Sequence, residues 1–211
     1  YLHGEKFFKR FKYDWNNYPS RFEIIQKLID KKRFIDYLEI GCDQDINFSK
    51  INVKNKTGVD PISGGNIKLT SDDFFKSNDK IFDCIFIDGL HTYEQAIKDI
   101  LNSIKFLKPN GIIILHDCLP NKIWNQVVPR LYGHWNGDVW KSIVESRTLN
   151  NIDTYTCKAD HGLGIIVNRP NRNLLDIKIK NFKKKKFKDY YNNHKEYMNI
   201  IEVSELEKLI Y

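Results

Sequence analysis

Long hydrophobic runs are missing from this 211-residue chain. The longest obvious one, Ile112 to Leu115, falls far short of the roughly 18 to 20 apolar residues a transmembrane helix needs, so no membrane span is expected. The first fifteen residues, YLHGEKFFKRFKYDW, alternate charge with aromatics and lack the apolar centre of a signal peptide. The chain opens on Tyr rather than Met, which leaves room for an earlier segment. Cys42, Cys84, Cys118 and Cys157 lie far apart and form no CxxC pair. That spacing argues against a zinc ribbon or a thioredoxin-like site and fits reduced packing thiols in a cytoplasmic protein. No internal repeat and no Gly/Ser linker divides the chain.

Charge is present but local. The net charge is +7, and residues 172–189 hold eight basic side chains against Asp176 and Asp189, which accounts for +6 of it. The remainder is nearly neutral. A run such as KNFKKKKFKD serves as a solvated helix face or loop, or else binds RNA, anionic lipid or a phosphorylated substrate. With no aromatic RNA-recognition signature, nucleic acid is not a favoured partner. A length of 211 residues suits one domain with a substantial core. It divides into a helical lead-in (1–34), a core sheet (35–168) and a basic C-terminal extension (169–211).

Short apolar runs alternate with helical patterns, which points to a parallel sheet with crossover helices. Ser20 and Glu23 form an S-x-x-E capping box, opening a helix with Phe22, Ile25 and Ile29 on one face and an end near Lys31-Lys32-Arg33. Strands are expected at 35–40 (YLEIG), 57–60 (TGVD), briefly at 67–69, and at 81–88 (IFDCIFID). Thr92 and Gln95 repeat the capping box before a helix whose apolar residues, Ala96 to Leu107, recur at helical spacing. KPNG (108–111) should end that helix and turn into the strand GIIIL. A helix over 139–147 and an antiparallel hairpin of DTYTC (153–157) with LGIIV (163–167) complete the pattern. The expected fold is α/β: a doubly wound, mostly parallel, seven-stranded sheet with an antiparallel edge hairpin.

In such sheets ligands sit outside the carboxyl ends of the strands. Those ends carry Glu39 and Gly41, then Asp60, then Ser71 and Asp72, then Asp88 with His91 beyond it, and finally His116-Asp117. Asp60 stands at the distance from Gly41 at which an acidic residue accepts hydrogen bonds from ribose hydroxyls. A GxGxxG fingerprint is absent, and Asp43 and Asp45 occupy the places of its later glycines, where they would repel a pyrophosphate. A cationic ligand with an adenosine end and no phosphate fits better, and S-adenosylmethionine is such a ligand.

The series LEIG, GVDP, TSDDFF, FDCIFIDGLHTYEQ and GIIILHDC resembles class I S-adenosylmethionine-dependent methyltransferases, in particular the bacterial small-molecule and sugar O-methyltransferase-like group. The likeness runs from about Tyr37 to Val167, with weaker echoes in NGDVWK and EYMNIIEVSE. It implies that Glu39 and Gly41 border the methionine part of the cofactor, Asp60 the ribose, and Ser71 and Asp72 the adenine. Asp88, which also borders the cofactor, His91, His116 and Asp117 would then face the methyl acceptor. By the same resemblance, Asp88 and Asp117 form a carboxylate pair able to hold Mg2+, and Asp43 and Asp45 depart from the small residues usual there.

A histidine with an ordinary pKa near 6.5 can take the acceptor's proton at neutral pH, which assigns His91 as general base. Trp135, Asp138 and Trp140 in HWNGDVW are candidate walls of the acceptor pocket, or core. The expected activity is methylation of a hydroxyl on a small polar acceptor, such as a sugar or nucleotide-sugar in glycan synthesis. A non-catalytic binding or assembly protein of the same fold and an RNA methyltransferase are the alternatives, and self-association is left open.

Overall fold

The computed structural model describes residues 13–209. Its seven strands are β1 (Asp36–Ile40), β2 (Asn55–Val59), β3 (Phe82–Ile87), β4 (Leu107–Leu115), β5 (Asp153–Cys157), β6 (Leu163–Val167) and β7 (Ile200–Ile201). They form one sheet in the order β2-β1-β3-β4-β6-β5-β7. β1 to β4 are mutually parallel, β6 runs antiparallel between β4 and β5, and β7 lies parallel to β5. The helices are α1 (Arg21–Lys32), α2 (Ser71–Ser77), α3 (Tyr93–Lys105), α4 (Trp140–Ser146), α5 (Phe187–Met198) and α6 (Val203–Leu209).

Period-two alternation sends each strand's side chains to two cores. Leu38, Ile40, Ile85, Ile87, Ile113 and Leu115 pack toward Ile100 of α3, Trp140 and Ile143 of α4 and Tyr190 of α5. Tyr37, Cys84, Phe86, Ile112 and Ile114 pack toward Ile25 and Leu28 of α1 and Leu206 of α6. Both faces of the parallel strands are therefore covered by helices. All four cysteines are buried and free. Among the described residues no helix is long and apolar enough to cross a membrane.

Several expectations shift. The count of seven strands holds with a different membership. Residues 67–69 supply a single bridge from Ile67 to Val59, because the chain turns back through Gly64 and Gly65, both at positive φ, and Ile67 N donates to the Gly58 carbonyl. The seventh strand is Ile200–Ile201, so the 153–167 hairpin lies inside the sheet and β7 forms its edge. KPNG belongs to β4 itself: Leu107 already pairs with Phe82, and Asn110 at φ 59 distorts the strand without ending it.

The first capping box is present, with Ser20 N and Oγ both donating to Glu23 Oε2 at 2.8 and 2.6 Å. The second is not. Thr92 occupies the N-cap position without a side-chain cap bond, and Asp138 Oδ1 instead accepts from Tyr93 N at 2.7 Å. A carboxylate arriving from 45 residues away takes the place the hydroxyl would have filled. Residues 1–12 of the N-terminal lead-in lie outside the described residues.

Candidate active site

β1 and β3 are neighbours, yet their onward connections lead to opposite sides of the sheet, to β2 and β4. A crevice therefore opens at their carboxyl ends. A cavity of about 820 Å³ occupies that place, and Glu39, Gly41, Asp60, Ser71, Asp72, Asp88, His91, His116 and Asp117 all line it. Seven carboxylates face it, against Arg21 and Arg130. Such a surface suits a cationic ligand and opposes a pyrophosphate.

One half of the cavity is built from loops after β1 and β2. Gly41 has φ +84, and a Cβ there would collide with the Asp88 carbonyl, so the residue type is dictated by close packing of the β1 and β3 ends. Asp60 Oδ2 accepts from Asp43 N at 3.0 Å, and Oδ1 accepts from Ile62 N and Ser63 N at 2.9 Å each. Burial pushes the Asp60 carboxyl up, but these three amides outweigh it and hold it below its ordinary range. Asp45 Oδ1 accepts from Gly65 N at 2.7 Å, tying the first loop to the second. Asp43 and Asp45, which depart from the dinucleotide pattern, both stand in left-handed backbone, at φ 46 and 60; Asp45 ties the two loops through its carboxylate, whereas Asp43 does so through its backbone amide.

Glu39 is nearly inaccessible. Its Oε2 accepts from Tyr37 Oη at 2.6 Å and from Asn47 Nδ2 at 2.7 Å. Burial nevertheless pushes its carboxyl up to about 7. Asn47 also lines the cavity and leaves a buried Oδ1 without a hydrogen-bond partner. Ser71 and Asp72 meet the Gln95 amide at 3.1 and 3.2 Å, and Asp72 is paired with Lys98. Ile62, 88% exposed, forms an apolar wall beside Asp60.

The other half is a cluster of carboxylates and imidazoles. His116 Nδ1 lies 3.1 Å from Asp88 Oδ1 and 3.3 Å from Asp117 Oδ2. His91 Nε2 lies 3.3 Å from Asp88 Oδ1, while its Nδ1 lies 3.1 Å from the Trp135 carbonyl and 3.3 Å from Asp117 Oδ2. The Trp135 ring stacks on His91 at 5.3 Å. Burial pushes Asp88 up, but His116 and His91 reverse that and hold its carboxyl well below the usual range. Burial disfavours a charged His116, yet Asp117 and Asp88 beside it raise it well above the usual imidazole range. His91 balances the same way, with burial overcome by Asp88 and Asp117 to give a raised pKa.

Several cavity-side residues escaped the sequence reading. Arg21, at the start of α1, places Nε 3.8 Å from Asp88 and Nη1 3.5 Å from Asp160. Asp160 and His161 stand between β5 and β6, where Asp160 Oδ1 lies 3.4 Å from His116 Nε2. His134 stacks on His161, and burial together with His134 drives His161 down to about 4. The available signal was KADHG, in which Asp160 and His161 stand together at a hairpin tip on the carboxyl side of the sheet. Of the HWNGDVW residues, Trp135 lines the cavity, whereas Trp140 is fully buried against Tyr190 and Asp138 pairs with the buried Lys141 at 2.8 Å.

Residues 38–118 match the family model described as a methyltransferase domain. No curated protein is similar enough in sequence to match the chain. Solved structures share its fold at low identity. An O-methyltransferase from Bacillus cereus, in complex with S-adenosylhomocysteine, is 13% identical over 74% of this chain and 83% of its own, with a TM-score of 0.52. A Podospora anserina methyltransferase bound to S-adenosylhomocysteine is 20% identical over 68% and 75%, with a TM-score of 0.53. A Streptomyces achromogenes O-methyltransferase involved in tomaymycin synthesis, in complex with S-adenosylmethionine, is 9% identical over 71% and 79%, at 0.54.

Proposed function

We propose that this chain, whose residues 38–118 match a methyltransferase domain, moves a methyl group from S-adenosylmethionine to a hydroxyl of a small polar acceptor, such as a sugar or nucleotide-sugar in glycan synthesis. The observation that carries this reading is the division of one cavity into two unlike halves. Backbone-tied carboxylates and an apolar wall form one half, and a carboxylate-imidazole cluster forms the other.

The residues fit the cofactor. The buried, unpartnered Asn47 Oδ1 is an acceptor in wait for an ammonium group, beside Glu39 at the carboxyl end of β1. Asp60, held by three amides, has one acceptor site left, on Oδ2, for a ribose hydroxyl, and Ile62 offers an apolar face to a purine. S-adenosylmethionine, when bound, supplies an electrophilic methyl group.

The carboxylate pair also fits a hard divalent ion. Asp88 and Asp117 both reach His116 Nδ1, so their oxygens converge on one small volume, where a protonated His116 balances their charge and a divalent ion would do the same. Asp88 and Asp117 would hold Mg2+, which when bound polarises an oxygen of the acceptor. The rest of the chemistry belongs to the chain. The Trp135 carbonyl holds His91 Nδ1 as a donor, and Nε2, which faces Asp88 and donates to it in the protonated ring, becomes the atom that receives the acceptor's proton once it has lost its own. Asp88 steadies the resulting imidazolium, and the Trp135 ring fixes its plane and offers an aromatic face to a sugar ring.

Calorimetric titration with S-adenosylmethionine tests the reading directly. One site per chain is expected, and no heat at millimolar cofactor would sink it. EDTA should abolish turnover if Mg2+ sits on the carboxylate pair, whereas full activity in EDTA would reduce Asp88 and Asp117 to hydrogen-bonding groups.

A further inference from the structure

Asp117 offers its two carboxylate oxygens in two directions. Oδ2 faces the imidazoles of His91 and His116, each 3.3 Å away, whereas Oδ1 faces His134 Nε2 at 3.7 Å. His161 lies against His134, the two rings stacked with centroids 3.9 Å apart. One donor atom from each of Asp117, His134 and His161 lies within 4.8 Å of the others. Methyl transfer as read above uses neither of these two histidines. We infer that Asp117 Oδ1, His134 and His161 form a site for a borderline divalent metal ion, with zinc as its type, distinct from the Asp88–Asp117 pair.

The donor chemistry separates the two places. Two imidazoles and one carboxylate suit zinc and its neighbours, whereas magnesium and calcium prefer oxygen ligands throughout. Ligand atoms about 2.0 to 2.1 Å from a tetrahedral ion stand roughly 3.3 Å from one another. The 3.7 Å between His134 Nε2 and Asp117 Oδ1 is close to that edge, and the two imidazoles would turn out of their stack so that the lone pairs in both ring planes meet one ion.

The surroundings hold the donors in place. The buried Asn136 donates Nδ2 to Asp117 Oδ1 at 2.8 Å, which leaves that oxygen a second lone pair. Asn125 Nδ2 donates to the His134 carbonyl at 2.8 Å, and Asn136 N donates to the Asn125 carbonyl at 2.8 Å, so the segment carrying His134 is tied down. Outer hydrogen bonds of this kind orient ligands and tune their basicity. His134 lines the cavity and its side chain is 46% exposed. The fourth coordination position therefore opens toward the cavity, where a water or an acceptor hydroxyl would bind, as in zinc sites with three protein ligands.

The test uses the full chain after chelator treatment, titrated with Co2+ and read by visible absorption. One cobalt per chain is expected, with the spectrum of a four-coordinate ion, displaced by zinc but not by millimolar magnesium. His134→Ala and His161→Ala should each weaken zinc binding by more than the roughly 10- to 100-fold that loss of an outer-sphere partner costs, and Asn136→Ala by about that amount. Asp88→Asn should leave zinc affinity unchanged. The inference falls if no metal binds, if His134→Ala binds zinc like wild type, or if Asp88→Asn loses zinc while His161→Ala keeps it. Should His161→Ala fail to fold, His134→Gln at its half-exposed position decides, with a thermal melt as control. Cofactor calorimetry on the metal-free chain reports separately on S-adenosylmethionine binding, so the two readings fail independently.

Discussion

The two halves of the cavity are held by different kinds of interaction. On the side proposed for the cofactor, carboxylates bind backbone amides a few residues or one loop away: Asp60 with Ile62, Ser63 and Asp43, and Asp45 with Gly65. On the side proposed for the acceptor, side chains bind side chains from Arg21, Asp88, His91, His116, Asp117 and Asp160, which span most of the chain. The first arrangement prescribes a loop shape and holds Asp60 ionised. The second makes the protonation of Asp88, His91, His116 and Asp160 depend on their neighbours. The difference teaches that binding can be assembled locally, whereas a proton-handling site needs the whole fold to bring its charges together.

That contrast can be broken by experiment, and the acceptor half should respond most. His91→Ala should lower turnover by about 10²- to 10⁴-fold, the usual contribution of a general base, with cofactor affinity unchanged. Because Asp88 and Asp117 raise the His91 pKa above its ordinary 6.5, turnover in the parent should climb with pH along a limb lying above that value. The limb should vanish in the variant. An active His91→Ala enzyme would return that histidine to a structural place beneath Trp135.

Glu39 lies between the halves and tests them through stability. Its carboxyl is pushed from an ordinary 4.5 to about 7, so between those values the folded chain keeps a proton that the unfolded chain has released. Stability should therefore fall as pH rises from about 4.5 to about 7, by roughly 3 kcal/mol, and level off above. Glu39→Gln should remove this slope in thermal melts of the ligand-free protein. A parent and variant with parallel profiles would show that the carboxyl titrates normally.

On the cofactor side, Asp60→Ala should weaken S-adenosylmethionine binding by roughly 10- to 100-fold, since a charged acceptor of hydrogen bonds is lost and the 62–63 turn is released with it. Equal affinity in that variant would remove Asp60 from the ribose. The smallest effect is expected at the basic segment. Lys183 pairs with the exposed Glu94, where water and salt screen both charges. Replacing Lys183 to Lys186 with Gln should leave turnover of a soluble acceptor near that of the parent. A collapse of turnover in a folded variant would make the segment part of acceptor recognition.

The sequence by itself determined the alternation of strands and helices, the carboxyl-end series of Glu39, Gly41, Asp60, Asp88 and Asp117, and the first helix with its cap. Periodicity, capping chemistry and strand-end spacing are written along the chain within a few residues, so they are legible without coordinates. Only the tertiary structure decided that Ile200–Ile201 completes the sheet, and that Asp138 rather than Thr92 caps α3. It also decided that Arg21, Asp160 and His134 reach the same cluster as Asp88 and Asp117. Those meetings join residues from different ends of the chain. Their partners are chosen by packing of the whole sheet and its helices, which no local pattern encodes.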